Sequence, residues 1–230
     1  MSKKIVKKRK LKLGNFLLVL LFLLGLFFCV YEISILRVKN IIVENTNYLN
    51  DDIILSLAEV KDYPKFFLTS SSLVQKKLEK SDYIKSAKLI KKYPLTFVIK
   101  VDEKKPLFFD VSKEKYIFDN GDSVSDDSIS REFRVPRLLN YVPDNKYDKY
   151  LSGMNNIKSD VLSKISEIEY QPNDYDKDRF LLYMDDGNMV YLTLTKFKMI
   201  NHYNEVLTQL ENHKGILYLD NGNHFKIMEW

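Results

Sequence analysis

A chain of 230 residues with 45% hydrophobic and 29% charged side chains is long enough for one large domain or two small ones, and its composition is not that of a disordered protein. Seven glycines and six prolines exclude collagen-like and linker-dominated classes, and a single cysteine, Cys29, excludes a disulfide framework or a cysteine-built zinc site. The formal charge of +5 is unevenly placed: residues 1–15 hold seven basic side chains and no acid, so the remainder is close to neutral and lacks the basic excess that attracts nucleic acid.

The first predicted element lies between Lys12 and Glu32, where 19 residues carry no charge and residues 16–31 (FLLVLLFLLGLFFCVY) are apolar almost throughout. As a helix this stretch is about 28 Å long, close to the hydrocarbon thickness of a bilayer. Residues 1–15 read as a basic tail retained in the cytoplasm and residues 16–35 as a membrane helix and its junction, with everything beyond lying outside. A cleaved signal peptide is the rival, but Phe27-Phe28-Cys29-Val30-Tyr31 offers no small-x-small cleavage site. Cys29 is an ordinary apolar membrane residue on this reading.

Residues 36–106 alternate strand and helix signals. Residues 38–44 predict a strand, and Asn50-Asp51-Asp52 caps a short helix over 53–60. Ser72 and Gln75 have capping-box spacing for a second helix ending near Lys80, with Leu73, Val74 and Leu78 as its apolar stripe. Residues 87–93 lead through Pro94 into a last strand in which Leu95, Phe97, Ile99 and Val101 share one face. The predicted order is βααββ.

Residues 107–230 read instead as strands separated by turns. Strands are predicted over 107–111, 116–118, 165–170 and 179–184, and residues 144–154 have a helical pattern. Asp186-Gly187 and Asn221-Gly222 each join two apolar runs as hairpin turns, the second between 216–219 and 224–227. Residues 195–214 place Met199, Ile200, Tyr203, Val206, Leu207 and Leu210 on one side of a long helix, which Gly215 is expected to stop. The fold class expected is α+β: a single transmembrane helix, a βααββ domain at 36–106, and a mainly antiparallel β domain at 107–230 with a packed helix in its C-terminal region.

The strand pair joined at Lys92-Tyr93-Pro94 and ending in Glu103-x-x-Pro106 resembles a POTRA domain. With the short basic tail and membrane helix before it, and the hairpin and helix order after it, the chain resembles the FtsQ/DivIB family of bacterial cell-division proteins over nearly its whole length. The resemblance implies a non-catalytic scaffold of the divisome, located at the septum, that binds single-pass proteins similar to FtsB/DivIC and FtsL and so acts on the septal peptidoglycan synthase. It further implies that the edge of the C-terminal β domain holds a partner, for which Tyr218, Leu219, Asp220, Phe225 and Ile227 are the candidate residues. An edge strand binds an extended segment through its backbone, with alternate side chains giving specificity.

Catalytic signatures are sparse. The sequence has no phosphate-binding Gly-rich loop, G-x-S-x-G elbow, H-E-x-x-H helix or C-x-x-C pair. His202, His213 and His224 recur every eleven residues but fall on different predicted elements. Asp174, Asp176 and Asp178 imitate the opening of a calcium loop, yet Arg179 stands in place of its glycine. Glu167 and Glu169 read as surface carboxylates of a strand. No catalytic residue, metal or cofactor is assigned, and a membrane-anchored extracellular cell-wall enzyme is the alternative function.

Overall fold

The structure is a computed structural model that describes residues 13–127, 129, 133–210 and 213–228, so most of the basic tail lies outside the described residues. Helix α1 (Leu13–Ser34) contains the apolar segment, and its large side chains are exposed along its length. That profile suits lipid rather than a protein core. The rest of the chain divides into two compact units, residues 51–102 with the preceding segment up to Thr46, and residues 103–230 with 47–50.

In the first unit, β1 (Asn40–Glu44), α2 (Asp51–Leu57), α3 (Ser71–Glu79), β2 (Ile84–Lys92) and β3 (Thr96–Glu103) follow the predicted order. The sheet order is β1-β3-β2, with β1 parallel to β3 from Asn40 opposite Thr96 to Glu44 opposite Lys100. Phe97, Ile99 and Val101 are buried as the alternation requires, and Lys100 is exposed and paired with Glu44. Val98 is buried as well, so both faces of β3 are covered at this level, whereas Lys100 on the same face as Val98 is not.

Both helices depart from the sequence expectation at their ends. Helix α2 stops at Leu57 rather than Val60. Glu59 adopts φ +54, its N–H bonds to the Ser56 carbonyl, and the Val60 N–H reaches back to Leu55. This is a Schellman closure built on glutamate in place of the usual glycine, so glycine-based reading does not find it. Helix α3 is capped by Ser70, whose Oγ accepts from the Leu73 N–H, and not by Ser72. Of the predicted stripe, Val74 and Leu78 are buried while Leu73 is exposed.

The second unit is built on a sheet of nine strands among the described residues. Its strands are β4 (Pro106–Asp110), β5 (Lys115–Phe118), β6 (Ser123–Ser125), β7 (Arg137–Leu138), β8 (Ile165–Tyr170), β9 (Arg179–Met184), β10 (Met189–Thr193), β11 (Gly215–Tyr218) and β12 (His224–Ile227). Their spatial order is β12-β11-β10-β9-β8-β7-β4-β5-β6. Pairing is mainly antiparallel, but β10 runs parallel to β11, and β7 parallel to β4 and β8. Helices α4 (Asp144–Asn155) and α5 (Ser159–Leu162) contribute Tyr150, Met154, Val161 and Leu162 to its core. At the centre Tyr150 stacks on Phe180 with ring centroids 5.1 Å apart, and Phe108 and Phe197 meet Tyr150 edge-on.

The long helix expected over 195–214 is instead a 3₁₀ helix over Leu194–His202 followed by a short α6 (Tyr203–Leu207). Leu194, Phe197, Ile200 and Tyr203 are the buried positions, a spacing of three that suits 3₁₀ geometry, and Met199 is exposed. Leu210 lies beyond α6, and residues 211 and 212 are outside the described residues. Gly215 is not a helix stop but the first residue of β11. A Cβ there would sit 2.2 Å from the Lys226 carbonyl oxygen and 2.7 Å from the Phe225 ring.

Candidate partner-binding edge

The terminal hairpin is fixed at its inner strand by the crossover from β10. A buried Asn188 side chain accepts from the Gly215 N–H at 2.9 Å through Oδ1, while its Nδ2 donates to Asp186 and to the Tyr203 hydroxyl. The Tyr203 hydroxyl in turn donates to Asp186, and burial followed by that carboxylate raises its pKa. One network thus joins the β9–β10 turn, α6 and the start of β11. At the other end of β11 the N–H groups of Leu219 and Asp220 both bond to the Tyr191 carbonyl.

Between the strands the chain turns through Gly222 at φ +86 and Asn223 at φ +49. Here glycine is used for its left-handed conformation, as the Asn-Gly pair predicts. Strand β12 then pairs with β11 from Tyr218 opposite His224 to Gly215 opposite Ile227. The Met228 N–H donates to the Lys214 carbonyl. By antiparallel alternation, the backbone groups of His224 and Lys226 also face β11, and the N–H and C=O groups of Phe225 and Ile227 point the other way. β12 is the outermost strand, so those groups line an open sheet edge among the described residues.

The five candidate residues occupy three different situations. Leu219 is buried in the core, and the Asp220 carboxylate is held by Arg179 Nε at 2.7 Å, so both shape the hairpin from within. Tyr218 lies opposite His224 on the outer face, whereas Phe225 and Ile227 lie on the core face with Leu217 and Gly215. Tyr218 therefore does not share a row with Phe225 and Ile227. Phe225 is half-buried against the core, and Ile227, at 51% exposure, extends that apolar face past the last strand.

The outer face carries a feature that the one-dimensional reading misses. The Arg179 guanidinium lies 3.4 Å from the Tyr191 ring centroid, Tyr191 stacks on Tyr218 at 5.3 Å, and Tyr218 stacks on His224 at 4.7 Å. This ladder crosses β9, β10, β11 and β12 and adds cross-strand contacts to the backbone pairing that holds the hairpin. Its signal is alternate positions on four strands, visible only once the register is known. Arg179, Tyr218, Asp220 and His224 also border a largely polar cleft of about 580 Å³, with Tyr175 fully exposed at its rim.

The remaining titratable motifs are dispersed. Asp178 pairs with Lys146, Asp176 accepts from the Asp178 N–H, and Asn173 Oδ1 caps the turn before them by accepting from the N–H groups of Tyr175 and Asp176. His202 pairs with Glu205, whereas His224 belongs to the aromatic ladder. Glu169 accepts from the Tyr183 hydroxyl. Among the described residues no group of three metal-ligating side chains comes together.

Comparison with known proteins finds a family model over the first folded unit and relatives along nearly the whole chain. Residues 36–104 match the family model "POTRA domain, FtsQ-type". The chain is 26% identical to cell division protein DivIB of Bacillus subtilis, with 97% of this chain and 88% of that protein aligned. It is 28% identical to DivIB of Listeria monocytogenes over 68% of this chain and 60% of that one. Among solved structures, the major extracytoplasmic domain of DivIB from Geobacillus stearothermophilus aligns with a TM-score of 0.38 and 21% identity, covering 48% of this chain and 96% of that domain. Residues 36–104 thus form an FtsQ-type POTRA domain, and the chain as a whole is similar to DivIB cell-division proteins along nearly its full length.

Proposed function

We propose that this chain is a non-catalytic scaffold of the divisome that holds a partner by strand addition at β12. The observation that carries the reading is the open edge itself, where the backbone groups of Phe225 and Ile227 point outward beside a half-exposed Ile227 side chain. The occupant is an extracellular segment of an FtsB/DivIC-like protein, with an FtsL-like protein in the same complex, and through them the chain regulates septal peptidoglycan synthesis. Helix α1 anchors it in the membrane with the basic tail in the cytoplasm and residues 36–106 and 107–230 outside. Confinement to the layer that holds its partners raises their effective concentration, so modest edge pairing suffices.

The test is purification of the tagged full chain from solubilised membranes, with its companions identified by mass spectrometry. Co-purification of FtsB/DivIC-like and FtsL-like proteins, lost when residues 215–228 are deleted and retained when the exposed Tyr175 is changed to Ser, is expected. Retention of both proteins after the deletion would refute the edge as the binding site.

A further inference from the structure

The POTRA unit has a second surface that edge pairing does not use. Between residues 38 and 102, six large apolar side chains are exposed: Ile42, Tyr63, Phe67, Leu68, Leu73 and Tyr93. Four of them belong to two loops that lie far apart in sequence yet meet at the same end of the domain. The Phe66 N–H donates to the Leu36 carbonyl at 2.8 Å, the Val38 N–H donates to Pro64, and Arg37 bridges Lys65, which places residues 63–68 beside the chain leaving α1. The Lys39 N–H donates to the Leu95 carbonyl at 2.8 Å, which places the 93–95 turn there as well.

Parallel pairing of β1 with β3 is the reason for the second juxtaposition. Both strands start at the anchor end and run away from it, so the turn before β3 comes back to the start of β1. Lys91 ties the two loops together, its ammonium donating to the Phe66 carbonyl at 2.6 Å. Phe66 is buried against Phe97 and holds the first loop to the core, while the next two residues, Phe67 and Leu68, face out at 52% and 63% exposure. Tyr93 is 96% exposed. Leu36 is two residues beyond the end of α1, a span of at most about 7 Å.

We infer that residues 63–68 and 93–95 form a membrane-docking face, with Phe67, Leu68 and Tyr93 seated in the headgroup region of the leaflet from which the domain emerges and Lys39 and Lys65 against anionic lipid phosphates. The inference rests on α1 being a membrane anchor. Aromatic and aliphatic side chains at this level behave as interfacial anchors, and exposed lysines at their rim add attraction to anionic lipid. Continuity with the anchor selects lipid as the occupant, because these loops cannot move far from the bilayer while Leu36 and Lys39 bond to them. The consequence is a POTRA domain laid against the membrane rather than swinging freely above it.

The experiment uses the full chain with Cys29→Ser, reconstituted in vesicles of phosphatidylethanolamine and phosphatidylglycerol and labelled with an environment-sensitive fluorophore at one introduced cysteine. The positions are Leu68→Cys, Tyr93→Cys, Lys85→Cys and, inside the anchor, Leu21→Cys. Lys85 is exposed near the far end of β2, about 23 Å along the strand from Lys92. Emission from the labels at 68 and 93 should be blue-shifted by the membrane and quenched by nitroxide-bearing lipid, the label at 85 should be unquenched, and the label at 21 should be quenched. Quenching at 21 with 68 and 93 behaving like 85 would overturn the docking face while leaving the anchor intact. Absence of quenching at 21 would remove the anchor and the inference with it. A blue shift at 68 and 93 that follows protein density and ignores nitroxide would assign the face to contact between copies and overturn the lipid assignment. Lys39→Glu combined with Lys65→Glu should reduce quenching at 68 in anionic vesicles but not in phosphatidylcholine. No reduction in anionic vesicles would overturn the phosphate contacts.

Discussion

Proline at position 227 separates the edge from everything else in the hairpin. The Ile227 N–H points away from β11, so Ile227→Pro removes a donor that only an added strand would use, and proline is compatible with a strand whose N–H faces outward. One backbone hydrogen bond has a net worth of about 0.5–1.5 kcal/mol, and losing the cover over a half-exposed isoleucine costs about 1 kcal/mol more. Together these give about 2 kcal/mol, or a roughly 30-fold weaker affinity for the partner's extracellular segment. Ile227→Ala keeps the donor and should weaken binding only about 5-fold. Lys226→Pro strikes the inner ladder to β11 and should unfold the hairpin, whereas Asn221→Asp keeps a favourable turn pair and should leave binding intact. Titration of residues 36–230 with the partner segment, alongside circular dichroism, reads all four. Unchanged affinity in a well-folded Ile227→Pro variant would refute strand addition here, and equal losses for Pro and Ala would assign the effect to the side chain rather than the edge.

Four further outcomes test the packing. Ile99→Ala should lower stability by about 2–5 kcal/mol as a buried large-to-small change, while Lys100→Ala should cost little as loss of an exposed ion pair; equal shifts in chemical denaturation would contradict the register. The Glu103 carboxylate accepts from the N–H groups of Asn47 and Tyr48 at 2.8 Å and Leu49 at 3.1 Å, so Glu103→Ala should cost about 1.5–3 kcal/mol in the same assay. Glu59→Gly relieves a left-handed glutamate and should raise stability by roughly 0.5–1 kcal/mol. The Tyr150 hydroxyl is buried with no hydrogen-bond partner among the described residues, so Tyr150→Phe should be neutral or stabilising by about 1 kcal/mol, read as a rise in Tm.

Much of this architecture is legible in the sequence because local chemistry and tertiary packing agree there. The βααββ order, the 179–184 strand and both Asn/Asp-Gly turns are set by alternation and by residues that tolerate a left-handed backbone. Disagreement appears where a non-standard residue takes a standard role, as Glu59 does at the end of α2. It also appears where two periods compete. Residues 194–207 contain both a spacing near 3.6 and the run Leu194, Phe197, Ile200, Tyr203, and burial selects the second. The candidate edge was legible as an edge, but its side chains were not: only the register shows that Tyr218 and Phe225 face opposite ways and that Asp220 belongs to Arg179. Glu103 illustrates the reverse case, in which a weak four-residue pattern proves to hold three backbone donors that are distant in sequence.

Amide hydrogen exchange on residues 36–230, alone and with the FtsB/DivIC-like extracellular segment bound, tests the central claim most directly. Alone, the amides of Phe225 and Ile227 should exchange rapidly while those of His224 and Lys226 are slowed by β11. Binding should slow Phe225 and Ile227 specifically and leave the rest of the ladder unchanged. Saturating partner that leaves these two amides exchanging at their free rate, with new protection at β6 or in residues 63–68, would contradict strand addition at β12.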